Sequence, residues 1–248
     1  MFLTVVVSAK KEWGALRRVV RSPRNLLLLG LASSLIATNW LVFIYSITSH
    51  QLLQASLGYF VNPLLSVMLG MLFLGERLRR WQSVAVALAA AAVVNLAVRG
   101  TGVPWIALTL ASTFACYGFV RKKVNINSLH GLLVETAILL PLSLGAISFR
   151  HGPPIAPATW GLLAGSGIIT AVPLLLFGAA VRRVRLVTLG FLQYIGPTLQ
   201  MLVALLVFQE PLDRAKLVSF ALCWMAIAVY VGDSLLAQRP QPAVNEPD

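Results

Sequence analysis

Glu135 is an acid set among apolar residues, in the run Gly-Leu-Leu-Val-Glu-Thr-Ala-Ile-Leu-Leu that begins at Gly131. If that run crosses a bilayer, Glu135 lies about two helical turns from its near end, roughly 10 Å deep at 1.5 Å per residue. An acid there costs about 2.5 kcal/mol or more, so it must face a cavity or a partner. Two roles follow. It is a proton-coupling or substrate-contacting carboxylate, or it is structural, either protonated or paired with Lys122, Lys123 or His130 at the membrane edge. Asn39 and Trp40 pose a similar choice, late in another apolar run and ahead of Tyr45. Both are poorly suited to lipid and are expected to face inward. There they either help form an aromatic wall for flat or amphipathic organic solutes or, through Asn39, bond helix to helix.

A third set of residues is ordered by repetition. The stretch Gln54 to Arg80 matches a second stretch 134 residues later. Tyr59 falls on Gln193, Asn62 on Gly196, Pro63 on Pro197, Ser66 on Gln200, Gly70 on Ala204, Glu76 on Glu210 and Leu78 on Leu212. The positions between proline and glutamate follow one helix face. Each copy is therefore an apolar helix carrying one polar or small stripe. Tyr59, Asn62, Gln193, Tyr194 and Gln200 are candidate cavity residues on those stripes. Pro63 and Pro197 are candidate hinges, because each frees a backbone carbonyl and bends its helix. Glu76 and Glu210 sit at run ends beside Arg77 or Arg214 and read as boundary ion pairs.

Enzyme signatures are missing from the sequence: there is no His-Glu-x-x-His, Gly-x-Ser-x-Gly or Gly-x-x-x-x-Gly-Lys-Ser/Thr. No catalytic activity, cofactor or metal site is expected. With no nucleotide loop, transport would draw on an ion or solute gradient or on the substrate's own gradient. His50, His130 and His151 lie at helix ends or in loops and read as interfacial residues rather than ligands. Cys116 and Cys223, inside apolar runs, read as packing residues.

The elements that must position these groups are set by composition. The chain has 248 residues, 58% hydrophobic and 11% charged, with mean hydropathy +0.82. A soluble domain carries about 25% charged residues, so this is a membrane protein. The net charge of +12 sits in short junctions between apolar runs, which argues against nucleic acid as a partner and for the lipid bilayer. Met1–Ser8 is apolar but too short to span, and Lys10–Arg24 is a basic surface segment. Eight spans follow, at about Leu26–Ile47, Leu52–Leu74, Trp81–Val98, Val103–Val120, Leu129–Phe149, Thr159–Val181, Leu186–Phe208 and Ala215–Leu236. Residues 237–248 read as a disordered tail. The alanines of Trp81–Val98 and the pair Gly161 and Gly165 read as close helix packing, with a homodimer contact not favoured.

With Lys10–Arg24 cytoplasmic and the spans alternating, sixteen of the 20 Lys and Arg residues fall on the inner side. This places the C-terminus inside. The last five spans, 103–236, form one unit, and its last three match the first three full spans. Five is odd, so the two units would be inverted. The first unit, 1–100, then holds three helices and a stub at 1–8.

The stretches Asn39-Trp40-Leu41-Val42-Phe43-Ile44-Tyr45, Ala55 to Pro63, Gly75-Glu76-Arg77, Tyr117 to Lys123 and Leu189 to Thr198 resemble the EamA family of the drug/metabolite transporter superfamily. The resemblance runs from about Leu26 to Leu236. It implies an inner-membrane carrier of small-molecule solutes, built from two inverted five-helix repeats around a central cavity. The departure is at the N-terminus, where the family's first helix and most of its second have no counterpart. The expectation is an all-α polytopic protein with eight full transmembrane helices and a stub, an N-terminally shortened form of a ten-helix carrier. A longer frame would begin about 40 to 50 residues upstream. A non-transporting scaffold or inactive fragment is the alternative, and it requires no paired polar stripes.

The cation split makes a topological prediction. Alkaline phosphatase fused after Arg150 is expected to be active, and fused after Lys123 inactive; the reverse pattern overturns the orientation.

Overall fold

The structure is a computed structural model describing residues 2–99, 105–124, 126–149, 156–185, 188–189, 192–209 and 212–236. It is helical, with no strand among the described residues. Its helices are α1 (Phe2–Ala9), α2 (Trp13–Val20), α3 (Pro23–Thr48), α4 (Leu52–Leu74), α5 (Arg80–Arg99), α6 (Trp105–Val124), α7 (Ser128–Ser148), α8 (Pro157–Arg183), α9 (Ile195–Leu206) and α10 (Arg214–Leu236). Six of them, α3, α4, α5, α7, α8 and α10, are long and apolar enough to cross a membrane. The chain is a polytopic helical membrane protein. Glu210, Arg150, His151 and the 237–248 tail lie outside the described residues.

Local sequence sets the helix ends. Ser22 caps α3 by accepting from Asn25 N–H at 3.4 Å, with Pro23 at the first helical position. Asn127 caps α7 by accepting from Leu129 N–H at 3.1 Å. Asp213 caps α10, where the Lys216 N–H donates to its carboxylate at 2.8 Å. That backbone bond lowers the Asp213 pKa, because it stabilises the charged form. Gly75, at φ 65°, ends α4 in the left-handed region that a side chain resists.

Among the described residues four apolar clusters hold the bundle, and two of them are large. One joins α4, α5, α9 and α10 through Phe60, Val67, Ala85, Ala89, Met201 and Phe220. The other joins α1, α2, α3, α6, α7 and α8 through Val7, Leu16, Leu29, Tyr117, Leu132 and Leu174. α4 and α6 pack against each other between them. A Cβ on Gly58 of α4 would stand 2.7 Å from the Ala107 Cα and carbonyl oxygen of α6, so this glycine lets two backbones meet. Of the alanines of α5, Ala85, Ala89 and Ala92 are buried, while Ala87 and Ala91 are exposed. Asn95 Nδ2 donates to the Ala215 carbonyl and to Ser219 Oγ, each at 2.9 Å, and Ser219 Oγ donates to the Ala92 carbonyl at 2.9 Å. Outward-facing side chains such as Leu142, Leu162, Leu176 and Leu206 form an apolar jacket suited to lipid.

Four expectations change. α2 is a helix where the sequence reads only a basic surface segment. α6 runs on to Val124, so Arg121, Lys122 and Lys123 belong to a helix and not a loop. Leu186–Phe208 is not continuous: a turn at Gln193–Tyr194 precedes α9. Pro197 explains the break, since it cannot donate to the Gln193 carbonyl and its ring crowds that oxygen. The Gly196 N–H takes the Gln193 carbonyl instead, at 3.2 Å. Finally, Gly161 and Gly165 pack against nothing within 4 Å, because α8 is buried through Leu174, Gly178 and Val181 in its second half.

The α4–α6 approach predicts that Gly58→Ala destabilises by about 1–3 kcal/mol through overpacking. Gly145→Ala, which meets open space, is expected to leave thermal unfolding in detergent unchanged.

Candidate functional site

α4 meets the start of α9 through polar side chains in an otherwise apolar contact. Asn62, 1% exposed, donates through Nδ2 to Gln193 Oε1. Ser56 Oγ donates to the Pro197 carbonyl oxygen at 3.2 Å. Stepping back on α4 from Asn62 to Ser56 steps forward from Gln193 to Pro197, so the segments cross antiparallel. Between the two contacts the Phe60 and Tyr194 rings meet, centroids 5.7 Å apart, and Phe220 closes edge-on against Phe60 at 4.7 Å. Pro63 and Pro197 are both buried here. Among the described residues, Asn62 Oδ1 and Gln200 Oε1 are buried and accept no hydrogen bond. A buried acceptor left in that state costs about 1–3 kcal/mol.

A second group joins α3, α4 and α6. Asn39 Nδ2 donates to the Leu110 carbonyl and to Thr113 Oγ1, both at 2.9 Å, while Tyr59 Oη donates to Asn39 Oδ1 at 3.1 Å. Asn39 thus bonds helix to helix with its amide fully engaged. Tyr59 sits edge-on to Phe43 and Phe114, centroids 5.9 and 6.3 Å away. The rings continue from Phe114 to Tyr117 and Phe177, where Tyr117 and Phe177 stack 17° from parallel.

That aromatic chain ends at Glu135. Arg121, 4% exposed, and Glu135, 1% exposed, form a buried ion pair, Nη1 to Oε1, at 3.2 Å. Tyr117 Oη donates to the other carboxylate oxygen at 3.2 Å. Arg121 Nη2 donates to the Ser128 carbonyl and Ser33 Oγ to the Glu135 carbonyl, both at 3.5 Å. Two glycines make room. A Cβ on Gly131 of α7 would overlap the guanidinium, and one on Gly178 of α8 would reach 2.9 Å from Nη2.

Several sequence expectations are corrected here. The partner of Glu135 is Arg121, not Lys122, Lys123 or His130. Lys122 Nζ pairs with Glu76 Oε1 at 2.7 Å, so Glu76 is a boundary ion pair with a partner other than Arg77. Lys123 lies over the Phe119 ring at 4.7 Å. His130 Nε2 pairs with Glu12 Oε2 at 2.9 Å and is buried. Trp40 does not turn inward with Asn39: it is 37% exposed, and Tyr45 is exposed as well, its ring against Trp105 at 5.6 Å. Aromatic side chains near a span end tolerate the membrane interface, which removes the need to bury them. Sequence reasoning passed over Thr113, Tyr117 and Arg121. Their spacing of four on α6 was the available signal, since it sets all three on one face.

The pair generates a stability prediction. Glu135→Ala leaves Arg121 buried without its counter-ion and is expected to cost about 3–5 kcal/mol. Replacing both partners, Arg121→Met with Glu135→Leu, is expected to recover most of that loss in thermal unfolding.

No family model matches the chain. Among curated proteins, Protein RarD of Escherichia coli strain K12 is 44% identical over 244 residues, covering 96% of this chain and 82% of the relative. An uncharacterized transporter, PA0485, of Pseudomonas aeruginosa is 42% identical over 250 residues, 98% of this chain and 84% of its own length. The uncharacterized transporter YojE of Bacillus subtilis is 40% identical over 237 residues, 93% of this chain and 80% of its own. A solved crystal structure, 21% identical with a TM-score of 0.65, covers 96% of this chain and 85% of its own and shares the fold. Identity at this level over nearly the whole chain decides the matter: the chain belongs to the RarD family of membrane transporters.

Proposed function

We propose that the protein is a secondary carrier of small organic solutes in a bacterial inner membrane, with its C-terminus cytoplasmic and with no enzymatic step. The observation that carries this reading is the polar seam between α4 and α9. Asn62 Oδ1 and Gln200 Oε1 are buried, and among the described residues no donor reaches either. Unpaired acceptors at such a depth are costly to keep and gain a partner when a solute bearing N–H or O–H groups enters. In this reading Tyr59, Asn62, Gln193, Tyr194 and Gln200 line the path, Pro63 and Pro197 are its hinges, and Trp40 lies at its edge. Asn39 holds Tyr59 in place, and Glu135 is the coupling carboxylate.

The architecture we propose is two inverted repeats, an incomplete one at 1–100 and a five-helix one at 103–236, with eight spans, the seventh broken at Gln193–Tyr194, and the 1–8 stub. Contacts between counterparts support it. Phe60 and Tyr194 are 134 residues apart and their rings touch each other. Asn62 bonds Gln193, the counterpart of Tyr59. A residue meets its own counterpart where an axis relating two copies passes between them. Ala89 and Cys223, and Ala92 and Ala226, stand at the same separation and share one core cluster. Asn95 reaches Ala215 while Arg79 reaches Asp233 at 3.8 Å, so α5 and α10 are also antiparallel. The charge asymmetry supports the orientation.

Uptake of a panel of amphipathic metabolites into proteoliposomes tests the function. Single cysteines at Asn62, Gln193 and Gln200 are expected to react with a polar thiol reagent, and cysteines at Leu72 and Leu206, which are exposed apolar positions, are not. A wholly unreactive seam returns these residues to packing. Glu135→Gln, which keeps the side chain's shape, is expected to abolish uptake driven by a pH gradient; unchanged uptake assigns Glu135 to structure alone.

A further inference from the structure

Lys10, Lys11, Arg17, Arg18, Arg21 and Arg24 crowd the segment around α2, and Glu12 is the one acid before Glu76. Glu12 is already taken by His130. Among the described residues no ion pair reaches Arg17, Arg18 or Arg21. Other basic junctions are partly neutralised: Arg79 meets Asp233, Arg121 meets Glu135 and Lys122 meets Glu76. The α2 cluster is therefore a positive surface without an internal counterpart.

The same helix is apolar on one face. Trp13, Leu16 and Val20, three and four apart, form that apolar stripe, and Arg17 and Arg21 run along its edge. Together they border a shallow surface groove, open to its surroundings, along this one helix. Leu16 is its buried floor, and Trp13 and Val20 are each 45% exposed walls. Arg17 and Arg21, one turn apart, are exposed at its rim. α2 leads directly into α3, a membrane-length helix, so the groove opens at a membrane edge.

We propose that the α2 groove binds an anionic phospholipid, its phosphate held by the Arg17 and Arg21 guanidinium forks and its upper acyl chain laid along Trp13, Leu16 and Val20. Planar guanidinium groups match phosphate oxygens in geometry as well as charge. A soluble phosphate would leave the apolar walls uncovered, and a lipid of zero net charge would leave the cluster unneutralised. A lipid with a negative headgroup meets both halves at once.

Native mass spectrometry of the full chain, with phosphatidylglycerol and phosphatidylcholine in competition, tests this. Phosphatidylglycerol is expected to be retained in preference. Arg17→Gln with Arg21→Gln is expected to weaken its binding roughly 25-fold, about fivefold per cation. The Lys double variant at the same positions keeps most of the affinity, which separates loss of charge from loss of fold. Arg182→Gln with Arg183→Gln removes equal charge from another exposed junction and is expected to leave the preference intact. Equal retention of the two lipids, or equal loss in both Gln double variants, overturns the proposal. Displacement of the lipid by equimolar glycerol phosphate overturns it too, by making the groove a soluble-phosphate site.

Discussion

The Arg121–Glu135 pair holds two opposite charges that are both almost fully buried. Removing each from solvent costs several kcal/mol, and the attraction between them repays this only when the remaining hydrogen-bonding capacity is also used. The surroundings supply much of that use, although among the described residues no acceptor reaches the buried Arg121 Nε. Tyr117 serves the second carboxylate oxygen, Ser128 takes a guanidinium N–H, and two glycines yield the volume. The partners come from α6 and α7, with Gly178 from α8 and Ser33 from α3 against the Glu135 backbone. Four helices are thereby set in register by one charge pair.

Elsewhere the bundle relies on weaker devices. Between apolar helices in lipid there is no hydrophobic gain from association, so close backbones and a few polar side chains carry the specificity. Gly58 against Ala107 is such a close approach. Asn39 and Asn95 each reach another helix, and Asn62 reaches the turn before α9. The apolar clusters fill the space between these fixed points.

Membrane spans were easy to read because a backbone in lipid must satisfy itself within one helix, which forces long uninterrupted apolar runs. The expected Leu52–Leu74 coincides with α4. What escaped was decided by non-local neighbours. The need for glycine at 131 and 178 arises from a side chain on α6, and nothing in their own surroundings announces it. Arg121, Lys122 and Lys123 are equivalent in sequence, yet they face a buried acid, Glu76 and an aromatic ring respectively. The α4–α9 contact was legible in part, since the repeat offset singled out Asn62 and Gln193. Trp40 was misjudged because an aromatic side chain has two comfortable places in a membrane protein, the interior and the interface.

The missing Cβ atoms at Gly131 and Gly178 have a mechanical meaning. Ordinary helices are held apart by hydrocarbon, whose bulk does not change with conditions. Here the spacer between α6 and the backbones of α7 and α8 is a charged plate, seated only as long as its counter-ion keeps it there. Electrostatic state and interhelical distance become a single variable at this point, and whatever neutralises Glu135 also loosens a wedge.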